Sequence, residues 1–503
     1  MVSRKLGILF LISVVLAFFA GYYSSNVINE PAPNNRSDLF SYVTRLMDEY
    51  YYYDIDSLDE QQALIASIEA AIRSYAIANN DPYTRLVSTP LNVTPRSDEK
   101  FVGIGINVST EGNLYRVQYV YPNSAAENNL YPNDLIIGVL EDEAIYFEDL
   151  SSSLESSTYL VGDVDDEKTL IVEDPDGVIS HVTIIYKEIE TPTVFAKDLL
   201  EDNIAYLRIT QFSGYQEGIT AGTDRVFFDR LAELESTILN QSPENKTLIL
   251  DLRDNPGGAL TALHNQKNTS STLFQGITQQ LLRRDLDQPL FEMIPKSGEG
   301  NIFFGGQTTA KPYDIKVLVN ENSASAAEVL AAALNTRGGY TLYGSQTYGK
   351  GVYQNYIYLT DIGGIRYSLA FTEGEWFYDD GKNVSTDPLA IETIEQTGIQ
   401  AIDMPVYGGE VAFNQISLAL VNYQNFLNYF FDFSGDDLLR TDGYFDLATE
   451  NAIIAFNTLY DIENESILSK KTAIHIHQIY MNDMFDIHKD VQLQSLIDII
   501  KNT

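Results

Sequence analysis

The chain has no cysteine, five histidines, one tryptophan, and only 32 basic residues against 71 acidic ones, a net charge of −39 over 503 residues. Without cysteine there are no disulfide staples, thiolate metal sites, thiol nucleophiles or lipidated N-terminal cysteine. The shortage of basic residues removes the counterion release that draws proteins to nucleic acid, so no nucleic-acid partner is expected. It also disfavours adhesion to anionic lipid headgroups. The acidic residues are spread along the chain, as on a solvated surface. The histidines (His181, His264, His475, His477, His488) are scattered, and neither Gly-x-Ser-x-Gly nor His-Glu-x-x-His occurs. A serine nucleophile here needs a base other than histidine. No metal site is legible and no cofactor is implied.

Long apolar runs are also scarce, and the one at the start is informative. Arg4 and Lys5 precede Leu6 to Ala20, followed by Gly21-Tyr22-Tyr23. The run suits an export signal, but Phe18-Phe19 before Ala20 makes a poor cleavage site, so residues 1–23 are expected to be an uncleaved single-pass membrane anchor. The basic flank keeps the N-terminus inside and the remainder extracytoplasmic. Cleavage would instead release a secreted form.

Beyond the anchor the chain reads as a multidomain α/β protein. Residues 24–97 combine a polar tether with a small helical region spaced by Leu39, Val43, Leu46, Leu64, Ile65, Ile68 and Ile72, ended by Asn80-Asp81-Pro82-Tyr83. Residues 98–188 alternate short β-type runs with turn residues, and the spacing predicts a short helix over 122–130. Strands and helices alternate from 189 to 404, an α/β layered core with expected strands at 204–209, 247–252 and 315–319. Residues 405–503 are helical, with Thr449 expected to cap one helix and a last helix, 490–500, packing back on the core.

Three segments carry candidate chemistry. Strand Val317-Leu-Val-Asn320 runs into Glu321-Asn-Ser-Ala-Ser325-Ala326 and an alanine-rich helix. This puts Ser325 near a helix N-terminus, where N–H groups and the helix dipole favour a developing oxyanion. Lys350 lies between glycines in Thr347-Tyr-Gly-Lys-Gly-Val-Tyr-Gln354, and Arg253-Asp-Asn-Pro-Gly257-Gly258 follows a core strand. Gly344 to Lys350 also fits Gly-x4-Gly-Lys, but Gly351 stands where a phosphate loop needs Ser or Thr, which argues against an NTPase.

Together these segments resemble the carboxy-terminal processing protease family, tail-specific serine peptidases with a PDZ domain. Asn80–Thr84, Asp251–Gly258, Ser323–Glu328 and Gly349–Gln354 stand in that family's order. The resemblance implies a ClpP/crotonase-like peptidase core with Ser325 as nucleophile, Lys350 as base and Gln354 orienting Lys350. The oxyanion donors it implies are the N–H of Ala326 and of Gly257 or Gly258. It also implies a β-rich PDZ domain whose Gly103-Ile104-Gly105-Ile106 loop holds a peptide's terminal carboxylate. The partners implied are protein or peptide substrates with accessible C-termini; a homodimer is one option for the oligomeric state. Thr441-Asp-Gly-Tyr-Phe-Asp446 and its flanking helices are similar to a peptidoglycan-binding domain, implying peptidoglycan as a partner. The rival expectation is a non-catalytic PDZ and cell-wall-binding scaffold.

Overall fold

The computed structural model describes residues 57–90, 100–150, 153–190, 193–201, 203–214, 222–239, 246–264, 275–463 and 466–502. The expected anchor, 1–23, lies outside them. Among the described residues no helix is long and apolar enough to cross a membrane. Among the described residues before Asn79, α1 (Ser57–Ala78) carries Leu64, Ile65, Ile68 and Ile72 as expected, while Leu39, Val43 and Leu46 lie outside the described residues. The Ser67 and Ser74 hydroxyls donate to the carbonyls of Ala63 and Ala70 one turn back, so these polar groups stay satisfied along the helix.

A compact unit begins at Asn79. After β1 (Arg85–Pro90) comes a β-rich stretch: β2 (Lys100–Gly103), β3 (Ile106–Glu111), β4 (Leu114–Val120), β5 (Leu135–Leu140), β6 (Ala144–Tyr146), α2 (Ser153–Thr158), β7 (Glu167–Glu173), β8 (Ile179–Ile185) and β9 (Lys187–Glu190). An antiparallel sheet runs β3-β4-β5-β7-β8 with β6 on β5, while β2 pairs with β9 and brings the ends of the stretch together. Val117, Ile136, Val139, Phe147, Leu170 and Val172 fill its core.

Residues 122–130 form a chain of turns, not the expected helix. Asn123 and Asn128 take φ of 58° and 65°, a left-handed conformation that cannot propagate a right-handed helix. The turns dock instead through Ala126, whose N–H donates to the Ile104 carbonyl.

The α/β core comprises β10 (Val194–Glu201), β11 (Ile204–Ile209), α3 (Thr223–Leu234), β12 (Thr247–Asp251), α4 (Leu260–Leu263), α5 (Ile277–Leu281), β13 (Phe291–Pro295), β14 (Asn301–Phe303), β15 (Asp314–Val319), α6 (Ala326–Thr336), β16 (Leu342–Gly344), β17 (Val352–Ile362), β18 (Ile365–Phe377) and β19 (Ile391–Thr393). The main sheet is ordered β10-β11-β12-β15-β16-β19, parallel from β11 onward. A parallel sheet needs cover on both faces. Leu207, Leu250, Val317 and Leu342 face one apolar core, closed by Phe227 and Leu231 of α3 and by Leu330 and Leu334 of α6. In a second sheet, β18 carries β17 along one edge and β1 and β13 along the other.

Three helices, α7 (Leu420–Phe430), α8 (Leu447–Leu459) and α9 (Lys470–Met484), enclose a separate core around Tyr423, Phe426, Phe456 and Ile476. Asp446, not Thr449, caps α8: the Thr449 N–H donates to Asp446 Oδ1 at 2.9 Å, and Thr449 lies inside the helix. This bundle meets the β-rich stretch through Lys470–Asp174 (2.8 Å) and Tyr407–Asp176 (2.8 Å).

The last helix, α10 (Val491–Lys501), does pack back on the core. Its Leu493, Leu496 and Ile497 cover the second face of the main sheet at Ile204, Tyr206, Ile249, Leu318 and Tyr343. Burying each of these helix side chains contributes about 1.5–3 kcal/mol as an upper estimate. Its N-cap, Asp490, also accepts from the Arg253 guanidinium at 2.6 Å.

Candidate active site

The carboxyl ends of the parallel strands β12 and β15 open into the crevice where such sheets place their sites. β15 leads through Asn320–Ala324 to Ser325, which sits immediately before α6 with φ 56° and ψ −116°. Left-handed backbone at a non-glycine residue is strained and persists only where the surroundings hold it. Here they do. The buried Ser323 hydroxyl donates to the Leu252 carbonyl at 2.8 Å, and the Ala324 N–H to the Asn255 carbonyl at 2.9 Å, tying the serine segment to the turn after β12.

That turn must approach closely, which explains its glycines. A Cβ on Gly257 would lie 2.7 Å from the Ala324 oxygen, 2.8 Å from Ser325 Cβ and 2.9 Å from the Ala326 nitrogen. A Cβ on Gly258 would lie 2.0 Å from the Phe212 oxygen, and both glycines have positive φ. The two differ in their N–H groups. Gly257 donates to Asn255 Oδ1 at 2.8 Å, whereas the Gly258 N–H has no acceptor among the described residues. Ala326 is the first residue of α6, so its N–H has no partner within the helix. Gly258 and Ala326 thus keep N–H groups with no acceptor among the described residues.

Lys350 is tied to Ser325 by a residue that sequence reasoning passed over. The carboxylate of Glu328, fully buried in the first turn of α6, accepts from the N–H of Ser325 (2.8 Å), Gly349 (2.6 Å) and Lys350 (2.9 Å). The signal was present: Ser325-x-x-Glu328 has the spacing in which a side chain three residues into a helix reaches back to the cap. The Lys350 carbonyl accepts from Trp376 Nε1 at 2.8 Å, fixing the backbone from its other side.

The lysine side chain is held differently. Its Nζ donates to Gln354 Oε1 at 2.7 Å and lies 4.4 Å from the centre of the Tyr83 ring. No hydrogen bond joins it to Ser325 Oγ among the described residues. Burial pushes the ammonium below the ordinary lysine value, and the positive charge of Arg85 adds to this, against Glu328 and Asp81, which favour the proton. A lysine in such a setting can shed its proton and serve as a base. The residue after Gly351 opens strand β17, not the helix a phosphate loop requires, which removes the NTPase reading.

The Gly103–Ile106 segment links the end of β2 to the start of β3. Its Ile104 and Gly105 carbonyls accept from the N–H groups of Ala126 and Tyr121, both at 2.9 Å. Gly105 has φ +86°, and a Cβ there would lie 2.1 Å from Ser124 Cβ. The strand that follows, β3, stands at the end of its sheet with β4 as its one neighbour among the described strands.

Residues 203–390 match the model of peptidase family S41. Over 463 residues the chain is 26% identical to the carboxy-terminal processing protease CtpB of Bacillus subtilis, covering 88% of this chain and 85% of that one. It is 26% identical over 510 residues to a probable CtpA-like serine protease of Staphylococcus aureus, covering 98% and 90%. Among solved structures it is similar to the photosystem II D1 C-terminal processing protease, at 19% identity and a TM-score of 0.37 over 70% of this chain and 86% of that one. The comparisons support peptidase family S41, with carboxy-terminal processing proteases as relatives along most of the chain.

Proposed function

We propose that the protein is an extracytoplasmic endopeptidase that cleaves exported proteins near their C-termini, with Ser325 as nucleophile, Lys350 as general base and Gln354 orienting Lys350. The observation that carries this reading is the Glu328 bridge, which joins a strained serine at a helix start to a half-buried lysine of lowered pKa. In the proposed path the amine turns from Gln354 toward Ser325 Oγ and takes its proton as Oγ attacks the scissile carbonyl. The N–H groups of Gly258 and Ala326 receive the oxyanion. Collapse passes the proton from Lys350 to the leaving amine and leaves an acyl-enzyme, which water activated by the same amine hydrolyses.

Substrate tails are read, in this proposal, by a PDZ-type domain over 98–188. The open edge of β3 and the adjoining Gly103–Ile106 segment support strand addition by an extended peptide. The anchor over 1–23 is proposed from Arg4, Lys5 and the apolar run, and peptidoglycan binding by the helical bundle from the sequence resemblance.

The test is hydrolysis of an unstructured protein by the purified ectodomain, with circular dichroism as a check on folding. Ser325→Ala and Lys350→Ala should be about equally inactive, because residues acting as a unit do not lose activity additively. Lys350→Arg should fold and be inactive, since a guanidinium stays protonated. Because only neutral Lys350 accepts the proton, wild-type activity should rise with pH through a midpoint below the ordinary lysine value. Substantial hydrolysis by folded Lys350→Arg overturns the assignment.

A further inference from the structure

The Asn80–Thr84 turn does more than end the helical region. Asp81 Oδ1 accepts from the Tyr83 N–H at 2.9 Å and from the Thr372 hydroxyl at 3.0 Å, and Oδ2 accepts from the Thr84 hydroxyl. Thr84 Oγ1 in turn accepts the Thr372 N–H at 3.0 Å, so backbone and side chain of Thr372 are both tied to the turn. On its far side Thr372 Oγ1 accepts from Gln354 Nε2 at 3.4 Å, and Gln354 Oε1 accepts from Lys350 Nζ.

This chain of bonds has a direction. An ionised carboxylate only accepts, so it obliges the Thr372 hydroxyl to donate toward it. Burial raises the Asp81 pKa, but hydrogen bonds from Thr84, Tyr83 and Thr372 outweigh it and hold the carboxyl below its usual value, in the accepting form. With its proton directed at Asp81, Thr372 Oγ1 presents a lone pair to Gln354. That selects the amide orientation with NH2 toward Thr372 and oxygen toward Lys350. The flipped amide would set its oxygen against the Thr372 lone pair and its NH2 against the N–H groups of Lys350.

We propose that Asp81, acting through Thr372 and Gln354, is the positioning residue that fixes how Lys350 presents its amine. One N–H is engaged by Gln354, the Tyr83 ring covers another side, and the lone pair is left for Ser325. The inference rests on the reading of Lys350 as base and adds Asp81 and Thr372 as its support. The charged groups around the amine are Arg85, Glu328 and Asp81.

Steady-state kinetics of the ectodomain on one peptide substrate across pH tests this. Asp81→Asn keeps the volume and an oxygen for the Tyr83 N–H, so the turn should survive, but an amide can bond with either polarity. Thr372→Val keeps the shape and cuts the chain. Each should lower kcat up to about tenfold, no more than loss of Gln354 itself, with KM within about twofold, as expected when a reacting group is held slightly out of place. The double variant should resemble the worse single one. Thr372→Ser, which restores the hydroxyl, should recover most of the loss.

Asp81→Asn also removes a charge that favours the Lys350 proton, so the acid limb of kcat should move to lower pH; in Thr372→Val it should stay put. Wild-type kcat in both single variants, a change confined to KM, or losses that multiply in the double variant would overturn the proposal. If Asp81→Asn does not fold, the contrast between Thr372→Val and Thr372→Ser decides alone. The two readings fail separately: an active Lys350→Arg removes the base itself. Dead Lys350 variants beside fully active Asp81 and Thr372 variants remove only the relay.

Discussion

Around Ser325 the fixed points are backbone atoms. Two glycines pack against neighbouring main chain, the Ala324 N–H reaches the Asn255 carbonyl, and the strained φ of Ser325 is set by its place before α6. Around the Lys350 amine the fixed points are side chains: the Gln354 amide, the Tyr83 ring and, behind the amide, Thr372. Backbone contacts admit almost no alternative atoms, whereas a lysine on a four-carbon stem finds other rotamers readily. Ser325, the proposed nucleophile, is therefore held rigidly and Lys350, the proposed base, adjustably, with Glu328 bonded to the main chain of both.

Substitutions on the two sides should differ in kind, and the largest effect belongs to the serine side. Gly257→Ala places a methyl within 3 Å of three fixed atoms at a φ of +97°. It should abolish measurable hydrolysis and cost about 1–3 kcal/mol of stability, read by thermal unfolding. A stable, half-active Gly257→Ala would show that the serine side is less rigid than described.

Glu328→Gln comes next. Its amide has one oxygen, able to accept two of the three N–H donors, so at least one part-buried donor is left unpaired at about 1–3 kcal/mol. Activity should fall about 100-fold, since Ser325 and Lys350 lose their common reference. Unchanged kcat in a folded variant would show that the bridge is dispensable.

Gln354→Ala should have the smallest effect, a roughly tenfold drop in kcat with no change in unfolding temperature, because it frees only the tip of the lysine. A loss as deep as that of Lys350→Ala would give Gln354 a part in the chemistry itself.

The residues that sequence reasoning reached are those carried by short local patterns. Ser325, Ala326, Lys350 and Gln354, the proposed site residues, could be singled out because each lies in a compact run whose neighbours are constrained too. Glu328 was equally legible from its spacing to Ser325 but went unread. The choice between Gly257 and Gly258 was not legible, because it depends on the Asn255 side chain turning back to take one N–H. Nor was the pairing of Asp81 with Thr372, residues 291 positions apart that meet only when β1 lies along β18. Of the fold, strands of the main sheet announced themselves as buried β-branched and leucine runs. Residues 122–130 misled because two asparagines adopt a left-handed backbone within an otherwise helix-compatible segment.

The docking of α10 changes what kind of attachment the helical bundle has. The chain leaves the main sheet after β19 and regains it at Asp490, so the bundle is an insertion held at both ends, not a pendant. A pendant swivels about one linker; a loop fastened at two points resists twisting and passes a pull on the bundle to both attachments. One of those is the Asp490–Arg253 ion pair, two residues from Asn255. A fragment meant to isolate the bundle should therefore end before Asp490. Carrying α10 along would leave Leu493, Leu496 and Ile497 without the sheet that covers them.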